Sequence, residues 1–242
     1  MRHSFCAAYR VLFFAAEKMF DTPYATIIES EDGRLLSARI AADGQWRFPM
    51  RDSVPYKFEK CITQFEDAHF YYHFGFNPVS IYRAFKQNIK AKKNVRGGST
   101  LTQQVIRIFR KNKTRNYTEK IVELILATRL EFRHSKKEIL QLYAAHAPFG
   151  GNVVGLEMAS WRYFGVPSSQ LSWAEAATLA VLPNSPALIY PGKNQTTLVQ
   201  KRNRLLKKLF DKKIIDKTTY QSAMIEPPTT KPYALPNEAP HL

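Results

Sequence analysis

The chain has 242 residues, 45% of them hydrophobic, enough to bury a core as one domain or as one domain with an appendage. Its 36 Lys and Arg against 20 Asp and Glu leave a formal charge of +16, which attracts polyanions: nucleic acid, an anionic membrane surface or a phosphorylated substrate. The two cysteines, Cys6 and Cys61, have no second Cys or His at metal-ligand spacing, which argues against a zinc site and reads as buried free thiols.

In chain order, residues 5–16 are apolar except for Arg10, a dozen residues where a bilayer span needs about 20. No cleavage-site pattern follows, so residues 1–21 read as a truncated or atypical anchor, an interfacial helix or a packed one. Residues 22–50 read as β. Ala25–Ile28 and Leu35–Ile40 are strand-like and flank Asp32-Gly33, a strong hairpin signal, and a second Asp43-Gly44 precedes Trp46-Arg47-Phe48-Pro49.

From about residue 53 the period turns helical. Ser99 is expected to cap a helix through Val105, Ile106 and Ile108. Ile121, Leu124, Ile125 and Thr128 recur at helical spacing. Ser135…Glu138 and Ser172…Glu175 are capping boxes, the second opening a helix that Pro183 ends. Val199–Phe210 is a basic amphipathic helix. The proline-rich residues 227–242 read as a linker or extended terminus. The fold expected is mainly α, with a short N-terminal β-hairpin and one principal domain over 51–226.

Two stretches look like site chemistry rather than core. Glu66-Asp67 is followed by Phe70, Tyr71, Tyr72, His73, Phe74 and Gly75, and Gly97-Gly98-Ser99-Thr100 opens a polar helix start at Gln103-Gln104. Backbone N–H groups in a glycine turn at a helix N-terminus favour an anion, and Ser and Thr hydroxyls add donors. Lys90, Lys92, Lys93 and Arg96 precede the turn; Arg107, Arg110, Lys111, Lys113, Arg115 and Lys120 follow it, a set that suits a diphosphate or a nucleic-acid backbone. Glu66, where apolar residues meet aromatics, and Glu123, amid Ile121, Val122, Leu124 and Ile125, are candidate proton- and charge-handling carboxylates. From pattern alone the commoner reading of each is a solvated glutamate on an amphipathic face. His69 and His73 are spaced i, i+4 without a third ligand, which favours structural histidines over a metal site.

Taken jointly, these residues resemble the ordered signatures of the family 51 peptidoglycan glycosyltransferases, the domain that begins class A penicillin-binding proteins. EDxxFxxHxG is complete from Glu66 to Gly75, and GGSTxTQQ from Gly97 to Gln104. RKxxE appears with Glu119 for the arginine, followed by Lys120 and Glu123. ILxxYLNxxxxG appears from Ile139 to Gly150 with Ala144 and Ala145 for Leu-Asn, and GxxxAxxxYFGK from Gly155 with Val166 for the lysine. Gln45-Trp46-Arg47 and Ala147-Pro148-Phe149-Gly150-Gly151 look most like the penicillin-binding protein 1C branch.

The resemblance implies a lysozyme-like helical domain that polymerises lipid II into glycan strands at the outer, periplasmic face of a bacterial cytoplasmic membrane. It implies Glu66 as general base on the acceptor hydroxyl, with Glu123 on the leaving side, steering cations or holding a Mg or Mn ion; no organic cofactor is implied. Asp67, Phe70, His73, Gly75, Gly98, Ser99, Thr100, Gln103, Gln104, Arg107, Arg115 and Lys120 would line the substrate. The partners implied are lipid II and a lipid-linked glycan chain, an anionic membrane surface and other cell-wall synthesis proteins, with no nucleic acid. Residues 76–96 would be a membrane-touching lobe. Glu119, one turn from Glu123, is expected to raise the pKa of that group and weaken leaving-group stabilisation unless a cation such as Lys120 or Arg115 compensates. A degenerate non-catalytic homologue that holds membrane or partners, and a lysozyme-like glycan hydrolase, are the alternatives.

Overall fold

Local signals decide most of the elements. The computed structural model describes residues 19–77, 98–111, 116–184, 186 and 191–238. The apolar stretch 5–16, residues 78–97 of the expected membrane-touching lobe, Cys6 and Arg115 lie outside the described residues. The chain divides into two compact units, one of Met1–Asp21 with Glu66–Tyr143, the other of Thr22–Phe65 with Ala144–Leu242. The architecture is mainly helical with an N-terminal hairpin, as expected, and among the described residues no helix is long and apolar enough to cross a membrane.

Among the described residues, the unit of 22–65 with 144–242 holds the sheet. Strands β1 (Thr26–Glu29) and β2 (Leu35–Arg39) pair antiparallel around Asp32-Gly33, from Thr26 opposite Arg39 to Glu29 opposite Leu35, with a bulge at Ile28/Glu29. The second turn closes with the Gly44 N–H donating to the Ala41 carbonyl at 2.9 Å. Beyond it, β3 (Trp46–Arg47) pairs parallel with β5 (Val153–Val154), which pairs antiparallel with β4 (Pro148–Gly150). The two segments that resemble the 1C branch thus form the outer strands of one three-stranded sheet, on either side of β5.

Helix α1 (Tyr56–Glu66) buries Phe58, Cys61 and Ile62. Cys61 is a free, buried thiol whose pKa burial pushes far above the usual range. In the same unit are α5 (Leu156–Phe164), α6 (Trp173–Val181), α7 (Gln195–Asp211) and α8 (Lys217–Ile225). The Ser172–Glu175 capping box opens α6 as expected, and Leu182 and Pro183 follow its end. Helix α7 buries Leu198, Arg202, Leu205, Leu206 and Leu209, a stripe at helical spacing, and starts four residues before the expected Val199. The proline-rich tail is extended but pinned: Tyr233 N–H donates to the Arg162 carbonyl at 2.7 Å, Glu238 N–H to the Leu36 carbonyl at 2.8 Å, and Asn237 bridges Ser37.

The other unit contains α2 (Leu101–Phe109), α3 (Tyr117–Arg133) and most of α4 (Lys136–His146). Helix α2 buries Leu101, Val105 and Ile106 together with Thr102 and Gln103. Its cap differs from expectation. Thr100, not Ser99, is the N-cap, its hydroxyl accepting from the Gln103 N–H at 3.2 Å. Asn116 caps α3 through the Glu119 N–H at 2.7 Å, and Ser135 with Glu138 forms the expected box before α4. Gly75 carries φ +79, and a Cβ there would sit 2.6 Å from the backbone of Ala127 and Thr128 in α3. The loop after the 3-10 turn Phe70–Tyr72 therefore lies flat on that helix.

Gly75→Ala would force backbone apart in a conformation that an L side chain disfavours. It is expected to destabilise the protein by about 2–4 kcal/mol. Urea unfolding followed by circular dichroism checks this; an unchanged midpoint would contradict the close approach.

Candidate active site

Glutamates on helices are usually solvated, but here one is half-buried and the other buried. Glu66 closes α1 and is half-buried; Gln104 Nε2, one turn into α2, donates to its Oε2 at 2.8 Å. Glu123 lies inside α3 and is 3% exposed. Arg107, one turn further along the same face of α2 as Gln104, grips it with two bonds, Nε to Oε1 at 2.9 Å and Nη2 to Oε2 at 3.0 Å. The two side chains that hold the acids are thus about 4.5 Å apart along the α2 axis, so one short helix holds both carboxylates.

Around Glu123 the polar groups close into a network. Lys120 Nζ reaches Ser99 Oγ at 2.7 Å, Gln103 Oε1 at 2.6 Å and Glu123 Oε2 at 3.5 Å, while Arg107 Nη2 also donates to Ser99 Oγ at 3.1 Å. Ser99 is therefore bound to the cations instead of capping α2. Two cations meet one carboxylate, leaving one positive charge in excess, and Arg107 and Lys120 stay partly open to solvent. Burial works to raise the Glu123 pKa, but the bonds and charge of Arg107, with the charge of Lys120, outweigh it and hold the group below the usual carboxylate value.

The expected upward push from Glu119 is overturned. Its carboxylate turns to Arg110, taking Nη2 at 2.9 Å and Nε in a second bond, and Glu123 shifts down. The compensating cations are Lys120, as expected, and Arg107.

The remaining expected site residues separate by burial. Asp67, 7% exposed, accepts from His73 Nε2 at 2.9 Å and from the Leu101 N–H at 3.1 Å, tying the loop to the first turn of α2. Phe70 is 1% exposed with Lys136 Nζ 4.6 Å over its ring. The Thr100 hydroxyl and Gln103 Nε2 both donate to the Gly75 carbonyl, at 2.7 and 3.1 Å. Asp67, Phe70, His73, Gly75, Thr100 and Gln103 frame the site from within. Gly98, Ser99, Gln104, Arg107 and Lys120 are half-buried and line it. His69 is exposed and does not join His73, which serves Asp67.

Three features were missed in the sequence. Tyr143 is fully buried, its hydroxyl has no hydrogen-bond partner among the described residues, and burial followed by the charge of Glu66 raises its pKa well above normal. Glu131 joins Thr102 to Lys136, which also reaches the His73 carbonyl. Arg110 stood in the basic run, but no spacing rule marked its cross-helix partner.

A Mg or Mn ion on Glu123 does not fit these residues. Both carboxylate oxygens already accept from Arg107, two cations adjoin them, and among the described residues no group of three or more His, Cys, Asp or Glu is placed to hold a metal.

A family model described as Transglycosylase matches residues 32–210. Penicillin-binding protein 1C of Escherichia coli (strain K12) is 35% identical over 243 residues, covering 97% of this chain and 31% of its own length. Penicillin-binding protein 1A of Aquifex aeolicus (strain VF5) is 36% identical over 180 residues, 74% of this chain and 25% of the relative. Penicillin-binding protein 1A of Pseudomonas aeruginosa is 35% identical over 201 residues, 83% and 24%. The chain spans less than a third of the length of these relatives.

Because the native pKa of Glu123 is depressed, its ionised form stabilises the fold above the unfolded value near 4.5, and that stability is lost as pH falls through the lower native pKa. Glu123→Gln is therefore expected to be less stable than wild type at pH 7, with the gap narrowing on acidification below about pH 4. Urea midpoints at pH 7 and pH 3 check this; an equal gap at both would place the stabilisation elsewhere.

Proposed function

The chain belongs to the transglycosylase family, and from that premise we propose that it is a peptidoglycan glycosyltransferase that polymerises lipid II, with Glu66 as general base and the Arg107–Lys120–Ser99 cluster on the leaving diphosphate. The observation that carries this reading is the single helix α2, which presents Gln104 to one acid and Arg107 to the other.

In the proposed step the acceptor sugar hydroxyl gives its proton to Glu66 as its oxygen attacks the anomeric carbon of the lipid-linked donor. The bond from that carbon to the diphosphate breaks, and the electron pair leaves with the diphosphate. Gln104 orients the base through its bond to Oε2. Negative charge growing on the leaving group meets the excess positive charge of the cluster, where charge-assisted hydrogen bonds are each worth about 1.5–3 kcal/mol. Glu123 keeps Arg107 and Lys120 in place. It is itself a poor acid for a hydrolase, because its proton affinity is held down by the same cations. No step runs through a metal.

Glu66→Gln is expected to lower strand formation from lipid II in detergent by about 10²–10⁴-fold with an unchanged melting temperature. Gel analysis of the glycan products reads it, and undiminished polymerisation would remove Glu66 from the role of base.

The same reading places the domain at the outer face of a bacterial cytoplasmic membrane, on the lipid-linked substrate. Ile121, Ile125 and Phe132 form an exposed apolar face on α3, and Phe74 stacks on Phe132 at 6.1 Å, with Arg129 and Arg133 exposed beside them. Apolar side chains edged by arginine suit an anionic lipid surface. Phe74→Ser with Phe132→Ser is expected to weaken co-sedimentation with phosphatidylglycerol vesicles several-fold while leaving the fold intact. Undiminished binding would assign the membrane contact to another surface.

A further inference from the structure

Helices α2 and α3 run antiparallel in register, so that Arg107 faces Glu123 and Arg110, one turn on, faces Glu119. The result is two bidentate bridges stacked like consecutive rungs. The outer rung is the more enclosed on its basic side: Arg110 is 6% exposed, less than Arg107. Glu119 and then Glu123 both act on the Arg110 guanidinium and favour its charged form against the pull of burial. Arg110 thus lies within the field of two carboxylates and bonds only one of them.

Resting on the proposed function, we infer that Glu119 is a positioning residue: by holding Arg110 on the outer rung it leaves Glu123 to Arg107 and Lys120, and so fixes the cations that meet the leaving diphosphate. A buried guanidinium that loses its carboxylate must find another, since an unpaired charge out of water is strongly unfavourable. The carboxylate one rung away is Glu123. Arg110 arriving there competes with Arg107 for the same two oxygens and loosens the grip that orients it. The anion at position 119 is then a requirement of this site rather than a handicap, and Glu119→Arg, which sets two cations face to face, lowers turnover instead of raising it.

The test compares Glu119→Gln with the double variant Glu119→Gln/Arg110→Gln. The single variant is expected to lose about tenfold or more in kcat/KM on lipid II, and the double, having no stray guanidinium, to return to within about threefold of wild type. A rung that only braces the helices predicts the opposite order, the double being no better than the single, and that result overturns the inference. A second readout needs no turnover: in crystals of Glu119→Gln the Arg110 guanidinium is expected on the Glu123 carboxylate, and finding it away from Glu123 also overturns the inference. Should Glu119→Gln fail to fold, Glu119→Asp keeps the charge and is expected to stay within about threefold of wild type, a larger loss counting against the inference. A wild-type protein that makes no strands would defeat the proposed function instead, while the crystal result would still decide the placement of Arg110.

Discussion

Glu123 is a carboxylate almost wholly removed from water, and such a group persists only where donors and cations replace its hydration. Much of the unit follows from that demand. Arg107 and Lys120 answer it, and Ser99 and Gln103 hold them. Gln103 is in turn fixed to the Gly75 carbonyl alongside Thr100, which requires the loop from Glu66 to Gly75 to lie on α3 with no side chain at its tightest point. Asp67 then reaches the first turn of α2. Glu66 and the cations around Glu123 are therefore not independent placements. They are two ends of one hydrogen-bonded frame.

The frame separates residues that line the site from residues that hold those residues. Asp67, Thr100 and Gln103 belong to the second group, with their polar atoms spent inside the unit. Ser99, Gln104, Arg107 and Lys120 remain partly open. A string motif gives both groups the same weight, because it records which residue types stand in order and not which way they face. The short run from Gly98 to Gln104 supplies a lining serine, a capping threonine, a buried glutamine and an orienting glutamine within seven residues.

What was legible in the sequence was what is decided nearby. The hairpin at Asp32-Gly33 and the boxes at Ser135 and Ser172 each rest on a few adjacent residues, and each stands as expected. The α2 cap moved by one residue because two hydroxyls competed for it. The tertiary pull of Arg107 and Lys120 on Ser99 settled the choice, and local reasoning cannot weigh that pull. Glu119 was read against its own helix, where the i, i+4 rule sets it beside Glu123. Its partner sits across the helix pair, which inverted the expected effect. Asp67 and His73 are six residues apart, a spacing with no secondary-structure meaning until the intervening turn is known. The pairing of Trp46 with Val153 had no local signal at all.

That last pairing bears on how the chain is made. Trp46 and Arg47 leave the ribosome roughly a hundred residues before Val153 and Val154, a delay of about 5–20 s at 5–20 residues per second. Through that interval β3 has no parallel neighbour, and the half of its unit already synthesised cannot be sealed. The nascent polypeptide must keep the strand's backbone hydrated or shielded until translation delivers its mate.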